Sequence, residues 1–228
     1  MSTSRADRPS LDRERVLTTA VALADDGGLD TVSMRVLAAE LGVVPMALYK
    51  HVAGKQALLS GMIDAVVAGY PRPGKRLSWR DSVRFRILAA RDALAVHPWL
   101  RTAIETSRQR TPAVLAHMDA IAGEFLAGGL SADLTHHAMH ALGHRIWGFS
   151  PEAFDDSVTA PSPLERAASE HLIRERFPHI VAITLDSLER TGGAGCDRQY
   201  EFEFTLELLL DAFDRLHLAG WSSTPASG

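Results

Sequence analysis

The chain has 228 residues, of which 46% are hydrophobic, and a formal net charge of −4 at pH 7. This length can bury a substantial core and fits one small domain plus a larger one. No apolar run approaches the roughly 18 residues that a membrane span needs, and the N-terminal sequence MSTSRADRPS lacks the apolar segment of a secretory signal. Cys196 is the only cysteine, which excludes an internal disulfide and suits a reducing cytoplasm.

The first helix is predicted from Leu11 to Ala24, directly after Ser10. Its apolar face is formed by residues at helical spacing, namely Leu17, Ala20, Val21 and Ala24. The sequence GGLD at 27–30 ends this helix, because two consecutive glycines disfavour its continuation.

The segment 33–58, SMRVLAAELGVVPMALYKHVAGKQAL, predicts two short amphipathic helices joined at a glycine, as in a helix-turn-helix motif. Ser33 can cap the first of them, and Gly42 can end it without steric penalty. Pro45 suits the first position of the second helix. Leu48 and Val52 then hold that helix to the core, which leaves the other faces available to DNA.

A fourth helix is predicted from about Lys55 to Gly69 and is the expected connector. The sequence PRPGKRLS at 71–78 reads as a linker, so the predicted domains are 1–70 and 71–228. Further helices are predicted near 80–96, 99–108, 112–127, 132–149, 164–190 and 199–218, with loops at 150–163 and 191–198. No alternating strand pattern competes with them, so the fold class is all-α.

The stretch VSMRVLAAELGVVPMALYKHVAGKQALL resembles the DNA-binding signature of the TetR (tetracycline repressor) family. The segments SWRDSVRFR, ALGHRIWG and FEFTLELLLDAF resemble parts of the ligand-binding domain in the tetracycline repressor's own subgroup. The resemblance implies a three-helix DNA-binding domain followed by a helical domain for ligand binding and dimerisation. It also implies a homodimeric transcriptional regulator, most simply a repressor. Such a regulator binds a pseudo-palindromic operator and is released from it by a small-molecule inducer.

The family motif also implies roles for individual residues. Arg35 takes the place of a base-contacting arginine, and a guanidinium can bind guanine O6 and N7 together. The positions that read bases or face the groove are Pro45, Met46, Ala47 and Lys50, and those that contact phosphate are Ser33, Tyr49, His51 and Lys55. The alternatives are a packed aromatic for Tyr49 and plainly solvated side chains for Arg35 and His51. Since residues 1–60 contain as many acidic as basic side chains, DNA binding must depend on where those charges lie.

The last helix has more apolar residues than one buried stripe requires. The resemblance implies that this helix and the 132–149 helix form a four-helix bundle with a second copy of the chain. The predicted interface consists of Leu142, Phe202, Leu206, Leu209 and Phe213. The alternative is a helix buried entirely within one subunit.

The ligand itself cannot be named from the sequence. The expected pocket residues are Arg86, Trp99, Ile104, His117, Ile121, His140, His144 and Trp147, most of which could equally belong to the core. By the resemblance, Ile104 and Arg86 replace a histidine and an asparagine that bind the drug and its Mg²⁺ in the tetracycline repressor, which makes that ligand doubtful.

Four histidines at 136, 137, 140 and 144 leave open a metal-responsive regulator, because imidazoles at helical spacing can bind Zn²⁺, Ni²⁺ or Cu²⁺. No cysteine or dedicated acidic partner accompanies them in sequence, so a structural role is favoured and no cofactor is expected. An enzyme is the hypothesis from another class, but no nucleophile elbow, phosphate loop, dinucleotide fingerprint or zincin motif is present. A third possibility is an architectural DNA-binding protein without a ligand. Such a protein would need no large helical domain, so this possibility is disfavoured.

Overall fold

The computed structural model describes residues 11–107, 110–146, 176–191 and 197–224. Over these residues the chain forms ten α-helices and a 3-10 turn at Leu29–Thr31, with no strand. The all-α prediction is therefore confirmed. Of the predicted elements, residues 164–175, most of the 191–198 loop, all of the 150–163 loop and Trp147 lie outside the described residues.

The first helix, α1, spans Arg13–Gly27, one turn beyond the predicted end. The carboxylate of Asp12 caps it by accepting a hydrogen bond from the backbone N–H of Arg15 at 2.8 Å. Its buried side chains are Val16, Leu17, Ala20 and Ala24, which is close to the predicted stripe. The helix stops where Gly28 adopts a φ of 78°, a value that a side chain would disfavour.

Two short helices follow, α2 at Met34–Leu41 and α3 at Pro45–Leu48. Ser33 caps α2, and its hydroxyl oxygen accepts a hydrogen bond from the N–H of Val36 at 3.2 Å. Gly42 ends α2 in the left-handed region, with φ 66° and ψ 35°, so the turn needs a glycine for the reason predicted. Leu48 and Val52 are buried and hold the single-turn α3 against the core.

Helix α4 spans Lys55–Ala68 and packs against α1, with Gly61 at the contact. A Cβ at Gly61 would lie 2.7 Å from a methyl carbon of Leu17, so the close approach of the two helices depends on this glycine. Helix α4 also contacts α5 (Trp79–Val96), α6 (Trp99–Thr106) and α7 (Pro112–Ala127). It therefore contacts α1, which packs on α2, and also the three helices α5, α6 and α7.

A single apolar core joins α1–α4 to α6 and α7. The buried residues of α1–α4 form one cluster with residues of α6 and α7, namely Trp99, Leu100, Ala103, Ile104 and Val114. The predicted boundary at residue 70 falls in the non-helical segment 69–78, yet buried packing continues across it. A movement in α6 or α7 is therefore felt directly by the first four helices.

The chain divides into two compact units. The first contains α1–α7, α8 (Ala132–Ile146) and the C-terminal tail from Leu216. The second, 148–215, contains α9 (Pro178–Thr191) and most of α10 (Arg198–Leu218). No helix in the described part of the chain is long and apolar enough to cross a membrane.

Candidate DNA-binding face and effector site

The helix-turn-helix exposes most of the residues predicted to meet DNA. Arg35, Pro45, Met46, Tyr49, Lys50 and Lys55 are exposed, whereas Ser33, Ala47 and His51 are half-buried. Tyr49 is 48% exposed, so the packed-aromatic alternative does not apply to the single chain. The prediction that these nine residues contact DNA is compatible with their positions.

Positive charge predominates on this motif. Between residues 33 and 58 the charged side chains are Arg35, Lys50, Lys55 and a single acid, Glu40, and all four are exposed. Ser33 uses its oxygen to cap α2, and a hydroxyl that accepts one hydrogen bond can still donate another. The motif thus offers both cations and a donor for phosphate oxygens, although the whole chain is acidic.

The acidic residue Asp25 has a role that the sequence did not reveal. Its Oδ1 accepts a hydrogen bond from the indole Nε1 of Trp99 at 2.6 Å and lies 2.7 Å from Nδ1 of His97. These contacts connect the last turn of α1 to the junction between α5 and α6. Trp99, predicted as pocket lining, is buried in the shared core instead, and so is Ile104. A position in the core was the alternative left open for most of the predicted pocket residues.

A cluster of buried polar groups, formed by Tyr70 and His117, lies between the end of α4 and α7. The Tyr70 hydroxyl, the Thr111 hydroxyl and Nε2 of His117 are buried, and none has a hydrogen-bond partner among the described residues. The rings of Tyr70 and His117 meet edge to face, with centroids 5.1 Å apart. Because an unpaired buried polar atom is costly, the Tyr70 hydroxyl and Nε2 of His117 together indicate a candidate site for a polar ligand group.

The electrostatic environment keeps His117 neutral. Burial, and secondly the positive charge of Arg86, lower the pKa of His117 from 6.5 to about 4. Burial also raises the pKa of the Tyr70 hydroxyl. At neutral pH both groups are therefore uncharged and able to donate or accept a hydrogen bond.

Arg86 is held in place by an ion pair across α5 and α7. Its Nε and Nη2 both donate to Oε1 of Glu124, at 3.1 and 2.9 Å. Both side chains are largely buried, so the pair joins the two helices beside His117. Of the predicted pocket residues, Arg86, His117 and Ile121 thus lie on α5 and α7. Tyr70 and Thr111 were missed, because neither belongs to a recognisable motif.

The remaining pocket predictions fall elsewhere. His140 is exposed on α8, and its ring lies 4.6 Å from that of His136. It therefore does not line an enclosed cavity of the single chain. His144 belongs to α8 but its side chain is outside the described set, as is Trp147.

The metal alternative has no geometric support in the described residues. They contain no group of three or more His, Cys, Asp or Glu side chains placed to hold a metal ion. His137 contacts Asp133 at 3.6 Å, and its ring packs edge to face against Trp221 of the C-terminal tail. His137 therefore takes part in anchoring that tail, together with the hydrogen bonds from Ser222 and Ser223 to Asp133.

An open groove of about 490 Å³ lies between α1, α4 and α5. Its lining is mostly apolar and consists of Thr18, Val21, Ala65, Val66, Gly69, Tyr70, Pro71, Ala89, Asp92, Ala93, Val96 and His97. None of the predicted pocket residues lines it. Tyr70 is common to the groove and to the buried polar cluster.

The predicted dimer residues are largely covered within one chain. Leu142, Phe202, Leu206 and Phe213 are buried and Leu209 is half-buried. Another stripe of α10, with four-residue spacing, is exposed and consists of Tyr200, Phe204 and Leu208. The helix therefore has two apolar faces, as its composition suggested, and the exposed one differs in register from the prediction.

Comparison with known proteins agrees with this architecture. Residues 16–62 match the family described as bacterial regulatory proteins, tetR family, and residues 70–215 match the tetracyclin repressor-like C-terminal domain. The chain is 41% identical over 102 residues to the HTH-type transcriptional repressor DrrR1 of Streptomyces coeruleorubidus. That match covers 42% of this chain and 37% of DrrR1, so it spans well under half of that relative.

Two further matches extend over nearly the whole chain. The tetracycline repressor protein class C of Escherichia coli is 26% identical over 224 residues, covering 91% of this chain and 93% of that protein. The crystal structure of a possible TetR family transcriptional regulator from Streptomyces coelicolor A3(2) superposes with a TM-score of 0.69 and 27% identity, covering 90% of this chain and 100% of that one. With both family domains matched in their expected order, the chain belongs to the TetR family of bacterial transcriptional regulators.

Proposed function

We propose that this regulator is a repressor that binds a pseudo-palindromic operator as a homodimer and is released by a small-molecule inducer. Its place of action is the cytoplasm, where the DNA is. The observation that carries the proposal is the position of α4 between a DNA-binding face and a buried, unsatisfied polar cluster. Lys55 begins α4 on the exposed motif, and Tyr70 follows its other end beside His117.

The path between the two sites is short and continuous. Fifteen residues separate Lys55 from Tyr70, so at 1.5 Å per residue they lie about 20 Å apart along the helix. Helix α7 is tied to α4 by a hydrogen bond from the N–H of Ala113 to Asp64 at 2.9 Å. Helix α6 shares the core of α1–α4 and is joined to α1 through Asp25. A ligand that moves α7 relative to α4 therefore acts on the elements that orient α2 and α3.

Release then follows from the geometry of a two-fold dimer. The two recognition helices must match half-sites about 34 to 36 Å apart on the same side of the duplex. A ligand that binds more tightly to a state with a different separation of the two recognition helices lowers operator affinity. The decrease is limited by the ligand's difference in affinity for the two states. Closely packed helices change between a few discrete arrangements rather than deforming continuously. A small change at Tyr70 is therefore sufficient to reorient helix α4.

The cluster also suggests what kind of molecule binds there. Tyr70 and His117 are neutral hydrogen-bonding groups, and the buried apolar residue Ile121 lies one turn beyond His117 on α7. An effector with a mainly apolar body and two or three hydroxyl or carbonyl groups would satisfy them.

The test is a screen of hydroxylated and carbonyl-bearing aromatic molecules for release of the full-length protein from an operator obtained by selection. Tyr70→Phe removes only one hydroxyl and should raise the inducer concentration needed for release about tenfold, as expected for one lost hydrogen bond. Operator affinity without inducer should stay unchanged. Thr102→Val, which removes one exposed hydroxyl from α6, is the control and should behave like wild type. Equal induction of Tyr70→Phe and wild type by every active molecule would contradict this placement of the site.

A further inference from the structure

The start of the recognition helix is apolar and solvent-exposed. Val44, the N-cap of α3, is 68% exposed, and Met46 is 72% exposed. Among residues 11–70, the large hydrophobic side chains classed as exposed are Val36, Val44, Met46 and Tyr49. All four belong to the helix-turn-helix motif, so the apolar exposure is concentrated where the protein meets its partner.

The same segment offers no side-chain hydrogen bond. From Val44 to Leu48 the sequence is VPMAL, and none of these side chains carries a strong donor or acceptor. Base-edge hydrogen bonds from this motif must come from other positions, such as Arg35 on α2. The side chains of the first turn of α3 can therefore make only apolar contacts with base edges.

In the major groove of DNA one base presents an apolar feature. The 5-methyl group of thymine is the apolar substituent among the groove edges of the four bases. The exposed cations Arg35, Lys50 and Lys55 lie on both sides of the apolar segment in the sequence and complement phosphate charge. They favour DNA over an apolar protein surface as its partner. We propose that Val44 and Met46 read thymine methyl groups, so that each half-site contains thymines beside a base pair contacted by Arg35. This inference rests on the proposed operator binding and adds its chemical basis of selectivity.

The expected effect follows from the burial of one methyl group. Removing a fully buried methyl costs about 0.8 kcal/mol, which corresponds to about fourfold in affinity. A symmetric dimer meets each position twice, so removal of the methyl at one position in both half-sites should weaken binding about fifteenfold. Deoxyuridine lacks only this methyl and keeps the hydrogen-bonding edge of thymine.

The experiment begins with selection of a binding site from a random duplex library by the full-length protein. Each thymine of the selected site is then replaced by deoxyuridine in both half-sites, and affinity is measured at fixed salt. We expect a loss of about fifteenfold at one or two symmetric positions and no loss at flanking thymines. Met46→Ala or Val44→Ala should abolish the loss at its own position. Leu115→Ala, which removes an exposed leucine on α7, should leave it intact.

The outcomes separate this inference from the proposed function. Selection of a defined site whose affinity is indifferent to every deoxyuridine would refute methyl reading while leaving operator binding intact, and would favour a protein partner for the apolar patch. A methyl effect that persists in both alanine variants would refute the assignment to Val44 and Met46. Failure to enrich any sequence would refute the proposed function itself.

Discussion

Acidification should destabilise this protein through His117. In the folded chain, burial and the nearby Arg86 lower the pKa of His117 to about 4, whereas the ordinary value is 6.5. Between these two values the unfolded chain binds a proton that the folded chain excludes, so the free energy of unfolding falls as the pH falls. Above pH 6.5 the contribution is fully present, and it is lost progressively as the pH approaches 4.

The magnitude follows from the difference between the two pKa values. A shift from 6.5 to about 4 corresponds to about 3 kcal/mol in total, of which about 2 kcal/mol is lost between pH 7 and pH 5. His117 is only 9% exposed, so solvent screening removes little of this effect. Against a typical stability of 5 to 15 kcal/mol, roughly a fifth of the total would depend on one imidazole.

The assay is urea unfolding followed by far-ultraviolet circular dichroism at pH 7, 6 and 5, at a fixed protein concentration because the dimer couples stability to concentration. His117→Gln should lose about 2 kcal/mol less than wild type over this pH range. His179→Gln, which removes an exposed imidazole from α9, controls for the number of histidines. A pH profile of His117→Gln that is parallel to that of wild type would refute the reasoning.

Four further outcomes are expected. Arg35→Ala should relax sequence preference and weaken binding to the matched site by about 1 to 3 kcal/mol. Lys55→Ala should weaken binding to all sites evenly and reduce the slope of log affinity against log salt concentration by about one. Equal losses on matched and mismatched duplexes for Arg35→Ala would contradict the base-reading role of Arg35. Leu208→Asp should yield folded monomers in sedimentation, because this side chain is 51% exposed on α10; a dimer that persists would move the interface elsewhere. Asp25→Ala should lower the free energy of unfolding by about 1 to 3 kcal/mol, since the buried indole of Trp99 loses its acceptor, and an unchanged urea midpoint would contradict this. Exhaustive EDTA treatment should leave operator binding unchanged, and its loss with recovery on addition of Zn²⁺ would establish a metal-dependent regulator.

Local sequence was sufficient to predict the helix-turn-helix motif and the approximate boundaries of most helices. Ser33 caps α2 through a hydrogen bond to a residue three positions away, and Gly42 ends α2 by adopting a positive φ. Both effects depend only on neighbouring residues, so they can be predicted from local sequence. The predicted helices 80–96, 99–108 and 112–127 agree with the observed ones to within two residues at each end. Helix α1 begins at Arg13 after its cap Asp12, two residues beyond the predicted start at Leu11, because helix ends are not fixed to the residue by pattern alone.

The candidate effector site depends on contacts between residues that are distant in the chain. Tyr70 meets His117 across 47 positions of sequence, and Arg86 meets Glu124 across 38. No periodicity or motif encodes such pairs, so Tyr70 was missed and Trp99 was assigned to a pocket although it packs in the core.

What the sequence by itself determined is therefore the secondary structure, the motif that faces DNA and the family, since these follow from spacing over a few turns of helix. Only the tertiary structure decided which apolar face of α10 is covered, which polar atoms are buried without partners, and how Asp25 joins α1 to α6. The physical reason is that burial and desolvation are properties of the packed chain. A histidine is exposed at position 140, whereas at position 117 the same side chain is buried and neutral.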